Sequence, residues 1–384
     1  MRILWFSWKD IGHPEAGGAE LLTHNILTRA AQHGHEVTLV CSGYKNAPHE
    51  SQSDGYTTIR VGNRWTVYYR AWRLYLSRFN SWPDVVIDEC NTIPFFCRWY
   101  ARQPVFMHFN QLCREIWFYQ MPFPFSLLGF CLEPFYLRAL SGANVITISQ
   151  STKRDLQRFG FREDRISIIP MGIKESESLP APPQELGTVR HDPALLILGA
   201  VRPMKRTMHA LRAFEIAKQS IPELRLVIAG SLVGSYGQKV RRAVNESFAR
   251  DSVELTGWVD ESRRISLMRA SDLLLVCSVK EGWCLAVTEA NRERLIAVVY
   301  DVDGLRDSVK HGITGYLVEK SDATCMAKQI VSHLQTSCHS RQEISKRALD
   351  ASRACDFDLT YRAYAQALRL SSEQAYVPTA NTAG

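Results

Sequence analysis

The chain has few of the features that would place it in several common function classes. No run among its 384 residues reaches the roughly 18 consecutive apolar positions of a spanning helix, which argues against an integral membrane protein of the helical kind. Its ten cysteines are scattered, with no C-x-x-C pair and no His/Cys/Asp cluster at ligand spacing, so neither a zinc module nor a disulfide scaffold is expected. Cys41 and Cys277 sit inside apolar runs, where a reduced, buried thiol is the ordinary state. Met1-Arg-Ile-Leu-Trp-Phe-Ser7 opens directly as a strand rather than a secretory leader. A reducing, cytoplasmic setting is the resulting expectation. Neither charge sign dominates: the formal net charge of +7 leaves anionic partners open without requiring one.

What the chain has is ample apolar material, 46% hydrophobic against 22% charged, as in a soluble globular protein. At this length one core is too few, and two domains are expected. Short apolar runs alternate with helical patterns. In the first half the strands read as Ile3–Ser7, Glu36–Cys41, Asp84–Asp88, Pro104–Met107, Asn144–Ile148 and Ile166–Ile169, with a helix over Ala19–His33. The second half repeats the habit at Ala194–Val201, Leu224–Ala229, Ser252–Leu255, Asp272–Cys277 and Ile296–Tyr300. Strands spaced by 10–15-residue helical patterns imply parallel sheets, so the fold class is α/β, doubly wound in each half. The stretch 174–193, with Pro180, Pro182 and Pro183, reads as a linker between domains at 1–173 and 194–355, and 371–384 as a disordered tail.

The most informative segment is Ser278-Val-Lys-Glu-Gly-Trp-Cys-Leu-Ala-Val-Thr-Glu-Ala-Asn291. It follows the apolar strand and runs into a helix from Leu285. Glu281 therefore falls at a strand's carboxyl end, where open α/β sheets bind ligands, and Glu289 about one turn into the helix. Gly282, Trp283, Cys284 and Leu285 between them lead into a helix N-terminus, whose unpaired N–H groups suit a diphosphate. A carboxylate accepts only, so each grips neighbouring sugar hydroxyls well. A solvated charge pair is the plainer reading of the same spacing.

This segment resembles the E-x7-E motif of retaining glycosyltransferases of family 4, which have the GT-B fold: two Rossmann-like domains facing a cleft. The resemblance implies that Glu281 lies by the transferred sugar and that Glu289 holds the nucleotide ribose. His13-Pro-Glu-Ala-Gly-Gly-Ala-Glu20 resembles the family's glycine-rich loop, which puts Gly17 and Gly18 beside donor phosphate and acceptor. Leu198-Gly-Ala-Val-Arg-Pro-Met-Lys205 resembles the phosphate-binding loop, with Arg202 and Lys205 as its cations, although their spacing is three where the family has a longer interval. Gly304-Leu-Arg-Asp-Ser-Val309 and the following Gly312 and Gly315 match another family segment, read here as structural. His108, ending the strand at Pro104–Met107, is either a donor to the sugar or leaving phosphate or a structural residue; a related subgroup has its His where Asn110 stands. The last helical pattern, Leu359–Leu370 (the returning helix taken over about 356–370), would cross back to the first domain.

Two departures concern the donor end. Cys284 stands where the family usually has a glycine, and Asn291-Arg-Glu-Arg-Leu-Ile296 replaces the customary Gly-Pro. The resemblance implies a retaining hexosyltransferase that needs no metal or cofactor. It would use a UDP- or GDP-sugar and a sugar, polysaccharide or lipid-linked acceptor, in cell-envelope or glycan biosynthesis. A catalytically degenerate nucleotide-sugar binder or regulatory subunit is the alternative. Asn63–Phe79 interleaves Arg64, Arg70, Arg73 and Arg78 with Trp65, Tyr68, Tyr69, Trp72 and Tyr75. That pattern fits a peripheral membrane contact or a packed helix with snorkelling arginines. Single-stranded nucleic acid ranks last, because it leaves the glycine loops and paired glutamates unexplained.

Overall fold

A computed structural model describes residues 1–173, 192–232, 234–319 and 321–370. The linker expected at 174–193 falls outside these except for its last two residues, as does the expected tail at 371–384. The chain divides into two compact units. One comprises residues 1–114, 127–172 and 356 onward; the other comprises 115–126 and 173–355.

The first unit is built on eight strands: β1 (Arg2–Phe6), β2 (Glu36–Cys41), β3 (Glu50–Ser53), β4 (Tyr56–Arg60), β5 (Val85–Cys90), β6 (Val105–Phe109), β7 (Asn144–Thr147) and β8 (Ile166–Ile168). Their order is β3-β4-β2-β1-β5-β6-β7-β8, parallel throughout except for the antiparallel β3–β4 hairpin. The central strands are buried on both faces, as continuous apolar runs such as Ile3-Leu-Trp-Phe6 require. The switch in winding lies between β1 and β5, and the loop from β1 to the helix Gly18–Gln32 opens there. The helix Phe357–Ala367 belongs to this unit: Arg29 bonds Asp358, and the Thr360 hydroxyl donates to the Pro170 carbonyl at 2.9 Å.

The second unit has six strands, all parallel: β9 (Ala194–Leu198), β10 (Arg225–Ala229), β11 (Val253–Gly257), β12 (Leu273–Val276), β13 (Ala297–Tyr300) and β14 (Gly315–Val318), ordered β11-β10-β9-β12-β13-β14. Two apolar cores lie on its two faces, one centred on Phe214, Leu226 and Val298 and the other on Leu274, Val287 and Val299. Side chains enclosed like that of Leu274 each stabilise the sheet by about 2–5 kcal/mol, judged by truncation to alanine. The switch lies between β9 and β12, so the loops after these two strands flank one crevice.

Candidate functional site

The loop after β9 begins at Gly199, whose φ of +119° few side chains tolerate. It must also pass close to the end of β10: a Cβ on Gly230 would lie 1.9 Å from the Gly199 carbonyl oxygen. A short 3-10 turn, Pro203–Lys205, then leads to the helix Thr207–Ser220. The Met204 carbonyl accepts from the Val279 N–H at 2.8 Å, which ties this loop to the one after β12. The Lys205 ammonium donates to Glu281 Oε1 at 2.5 Å, and the buried Ser278 hydroxyl donates to the same oxygen at 2.5 Å. Glu281 Oε2 bonds none of the described residues, which leaves an acceptor fixed in place by the engagement of its twin. Burial pulls the Lys205 ammonium down, but the Glu281 carboxylate beside it outweighs that and holds the pKa above its ordinary value.

The Glu281 backbone is fixed from the other side. Its N–H donates to the Asp303 carbonyl at 3.0 Å, and Gly304, at φ +79°, passes so close that a Cβ there would sit 2.1 Å from the Glu281 carbonyl oxygen. Asp303 and nearby Asp301 are both engaged by Arg306 at 2.8 Å, and Lys280 pairs with Asp303 at 3.7 Å, so two cations face this carboxylate pair. Cys284 caps the helix Leu285–Arg292 from the left-handed region, φ +80°. Burial, then the nearby Glu281 charge, pushes its thiol up to about 12. The Trp283 indole N–H donates to Thr288 Oγ1 at 2.9 Å across the first turn. Glu289 points to Arg264 of the helix Glu261–Ala270 and forms a close ion pair with it. Arg202 is exposed beside Lys205.

The structure thus brings Lys205 and Glu281 into direct contact and sets Glu289 on the helix Leu285–Arg292, engaged by a partner that the sequence did not suggest. Ser278, Arg264 and the backbone role of Gly304 were missed. Gly304 stood in a recognised string, but only its φ and the Glu281 carbonyl reveal its purpose. Ser278 and Arg264 gave no local signal.

In the first unit, Gly17 caps the helix Gly18–Gln32, and Glu20 reaches back to accept from the Gly17 N–H at 2.7 Å. Lys9 crosses the same loop, pairing with Glu20 at 3.3 Å and donating to the Glu15 carbonyl at 2.7 Å. Gly17 and Gly18 are exposed. Gly17 has an extended backbone, and a Cβ there would meet only the Glu20 carboxylate at an ordinary 3.7 Å. Nothing among the described residues, then, demands glycine at 17.

His108 departs from the expected donor role. It is fully enclosed, with Nε2 on the Tyr364 hydroxyl at 2.9 Å and its ring edge-on to Trp5. Burial pushes its pKa down to about 3, so it is a neutral packing residue that cannot touch a ligand in solvent. Asn110, the other register considered, is also buried and donates to Glu89 at 3.3 Å. Glu89, unremarked in the sequence, collects the Trp5 indole N–H and the Thr23 hydroxyl, each at 2.8 Å. Burial, with Glu20 adding to it, raises its carboxyl to about 7.

With this geometry in hand, comparison with known proteins is informative. The family model described as Glycosyltransferase Family 4 matches residues 16–177, and that described as Glycosyl transferases group 1 matches 182–350. A poly(glycerol-phosphate) alpha-glucosyltransferase of Bacillus subtilis is 28% identical over 205 residues, 53% of this chain and 29% of its own length. This chain therefore matches less than a third of that relative. Among solved structures, sucrose-phosphate synthase from Thermosynechococcus elongatus superimposes with a TM-score of 0.76 at 19% identity, covering 96% of this chain and 98% of its own. Anabaena HepE in complex with UDP-glucose does so at 0.71 and 16%, covering 96% and 99%. Likeness at these identities speaks for the fold. One family model accounts for most of the first half and the other for most of the second. The chain has the GT-B fold and belongs to the family described by the group 1 and family 4 glycosyltransferase models.

Proposed function

We propose that the protein is a retaining, metal-independent transferase that moves a hexose from a UDP- or GDP-sugar to an acceptor hydroxyl on a sugar, polysaccharide or lipid-linked glycan. The observation that carries this reading is Glu281, pinned through one oxygen by Lys205 and Ser278 with its other oxygen open, at the switch point of the second sheet. The UDP-glucose bound to the HepE neighbour supports a donor of that class. In this reading Glu281 Oε2 accepts from hydroxyls of the donor hexose, and Glu289 takes the ribose hydroxyls once Arg264 yields. Lys205, Arg202 and the N–H groups from Gly282 to Leu285 meet the diphosphate. They stabilise the charge that grows there as the anomeric carbon leaves it, which is the work a metal would otherwise do. Gly17 and Gly18 give an acceptor room at the glycine-rich loop of the first unit, and His108 takes no part. We place the protein in the cytoplasm, at the inner face of the membrane when the acceptor is lipid-linked.

Calorimetric titration with UDP and with GDP, with and without Mg²⁺, tests the donor site on the wild type and Glu289→Ala. One nucleotide should bind equally well with and without metal, and the variant should lose about 2 kcal/mol, roughly thirtyfold, the worth of hydrogen bonds to a charged acceptor. Binding of neither nucleotide sinks the reading. A second reading rests on Cys284: a side chain in left-handed backbone at the head of the donor helix favours a homologue that binds without transferring. Transfer that appears only in Cys284→Gly would select it.

A further inference from the structure

The helix Val67–Leu74 and the turn Tyr75–Phe79 that continues it have two apolar faces where packing needs one. Val67, Ala71, Tyr75 and Phe79 are buried in the first unit. On the other side Trp65, Tyr69, Trp72 and Leu76, spaced by four, three and four residues, form a second stripe exposed by 66%, 57%, 38% and 45%. Residues 55–83 hold five arginines and no carboxylate. Arg60 is consumed by Asp10 and Arg78 by Glu50. Arg70 and Arg73, flanking the stripe, form no ion pair among the described residues and line an open groove with Tyr69, Trp72 and Leu76.

Beyond this helix, ring contacts that pass through buried Phe95 lead to a second exposed group. Tyr68 packs on Phe95 at 4.9 Å between ring centres, and the next residue, Phe96, stacks on exposed Trp99 at 4.7 Å and meets Tyr136 edge-on at 6.1 Å. Tyr136 lies on the helix Phe125–Leu140, which exposes Leu128, Leu132 and Phe135 at the same helical spacing. The single carboxylate of that helix, Glu133, is buried, while Arg98 and Arg138 are exposed.

We propose that this face of the first unit docks on the surface of an anionic lipid bilayer. Tryptophan and tyrosine suit the headgroup boundary, leucine and phenylalanine the acyl edge just below it, and unpaired arginines the negative surface potential. The charge pattern selects this occupant. A second copy would oppose arginine to arginine across a two-fold axis, and an oligonucleotide makes no use of Leu76, Leu128 and Leu132. The inference stands apart from the transfer reading, because its test does not pass through nucleotide or sugar.

Full-length protein is sedimented with phosphatidylcholine vesicles and with vesicles carrying about 30 mol % phosphatidylglycerol, at about 50 and about 500 mM salt. Binding is expected to the anionic vesicles only, falling at high salt. Arg70→Glu with Arg73→Glu should weaken it at least tenfold, since each arginine near such a surface is worth roughly fivefold. Trp65→Ser with Trp72→Ser should weaken it as well; all four positions are exposed, and the calorimetric transition of the first unit reports whether that unit is intact in both variants. Failure to bind anionic vesicles at low salt, equal binding to neutral ones, or binding unchanged in both variants overturns the proposal. So does sedimentation without vesicles that either variant abolishes, which would mark a self-association face. Retention of a single-stranded oligonucleotide in place of vesicles would do the same.

Discussion

Cys284 and Gly304 both have positive φ, +80° and +79°, with opposite chemical consequences. A side chain in that region costs roughly 1–2 kcal/mol, and glycine's looser unfolded state returns about 0.5–1 of it. Cys284→Gly should therefore stabilise the second unit by up to about 1 kcal/mol, a rise in its melting temperature of a few degrees. Gly304→Ala runs the other way. Its Cβ would collide with the Glu281 carbonyl, so we expect a loss of about 3 kcal/mol together with nucleotide binding. A melting curve unchanged by Gly304→Ala would contradict the tight approach described above. Glu89 gives a pH test. Its folded carboxyl stands near 7, above the ordinary 4.5, so between those values the folded chain holds a proton that the unfolded chain has released. Stability relative to Glu89→Gln should therefore fall as pH rises from about 4.5 to about 7 and stay level above. His108 acts with the opposite sign, its folded pKa being depressed, but this background is common to both proteins and cancels in the difference. Denaturant midpoints across that range provide the measurement.

Among the elements, the helix Phe357–Ala367 carries the clearest prediction. Tyr364→Phe removes the hydroxyl from His108 Nε2 and leaves a buried ring nitrogen unsatisfied, at a cost of about 1–3 kcal/mol in the first unit. Loss of stability within that range, with nucleotide affinity intact, is the expected outcome; an unchanged midpoint would contradict it. The same contact explains why His108 stayed open between two roles in the sequence. A histidine ending a parallel strand looks alike whether it is open or covered, and here the cover arrives 256 residues later. Arg264 escaped notice for a related reason, since nothing local says which carboxylate a helical arginine meets. The parallel strands, by contrast, were legible because an apolar run is a local signal, and the eleven read in the sequence reappear to within three residues at each end. The β3–β4 hairpin was not read. Glu50-Ser-Gln-Ser53 is a polar edge strand without alternation, although Asp54-Gly55, at φ +54° and +85°, is the turn pair that announces such a hairpin. The loops holding Glu281, Lys205 and Gly17 were legible as strings, but the bonds that fix them were not.

On the scale of the whole molecule, each unit encloses its own apolar cores, centred on Leu4, Val86 and Met107 in the first and on Leu274 and Val298 in the second. Heating should therefore give two calorimetric transitions. A nucleotide at about one hundred times its dissociation constant should raise only that of the second unit, by about 2.7 kcal/mol. A shift of both, or of the other alone, would contradict placement of the donor site on the second sheet.

The path of the chain between the units has a bearing on ancestry and engineering. It passes from one to the other four times, at 114/115, 126/127, 172/173 and 355/356. No single crossover in a gene can exchange one unit cleanly for a relative's. A hybrid joined near residue 173 would inherit from the other parent the stretch that supplies Tyr364 and Asp358, and the inherited histidine at 108 would meet a foreign partner. Recombination among such transferases is therefore expected to succeed where the closing helix travels with the first 172 residues, as a two-piece transplant.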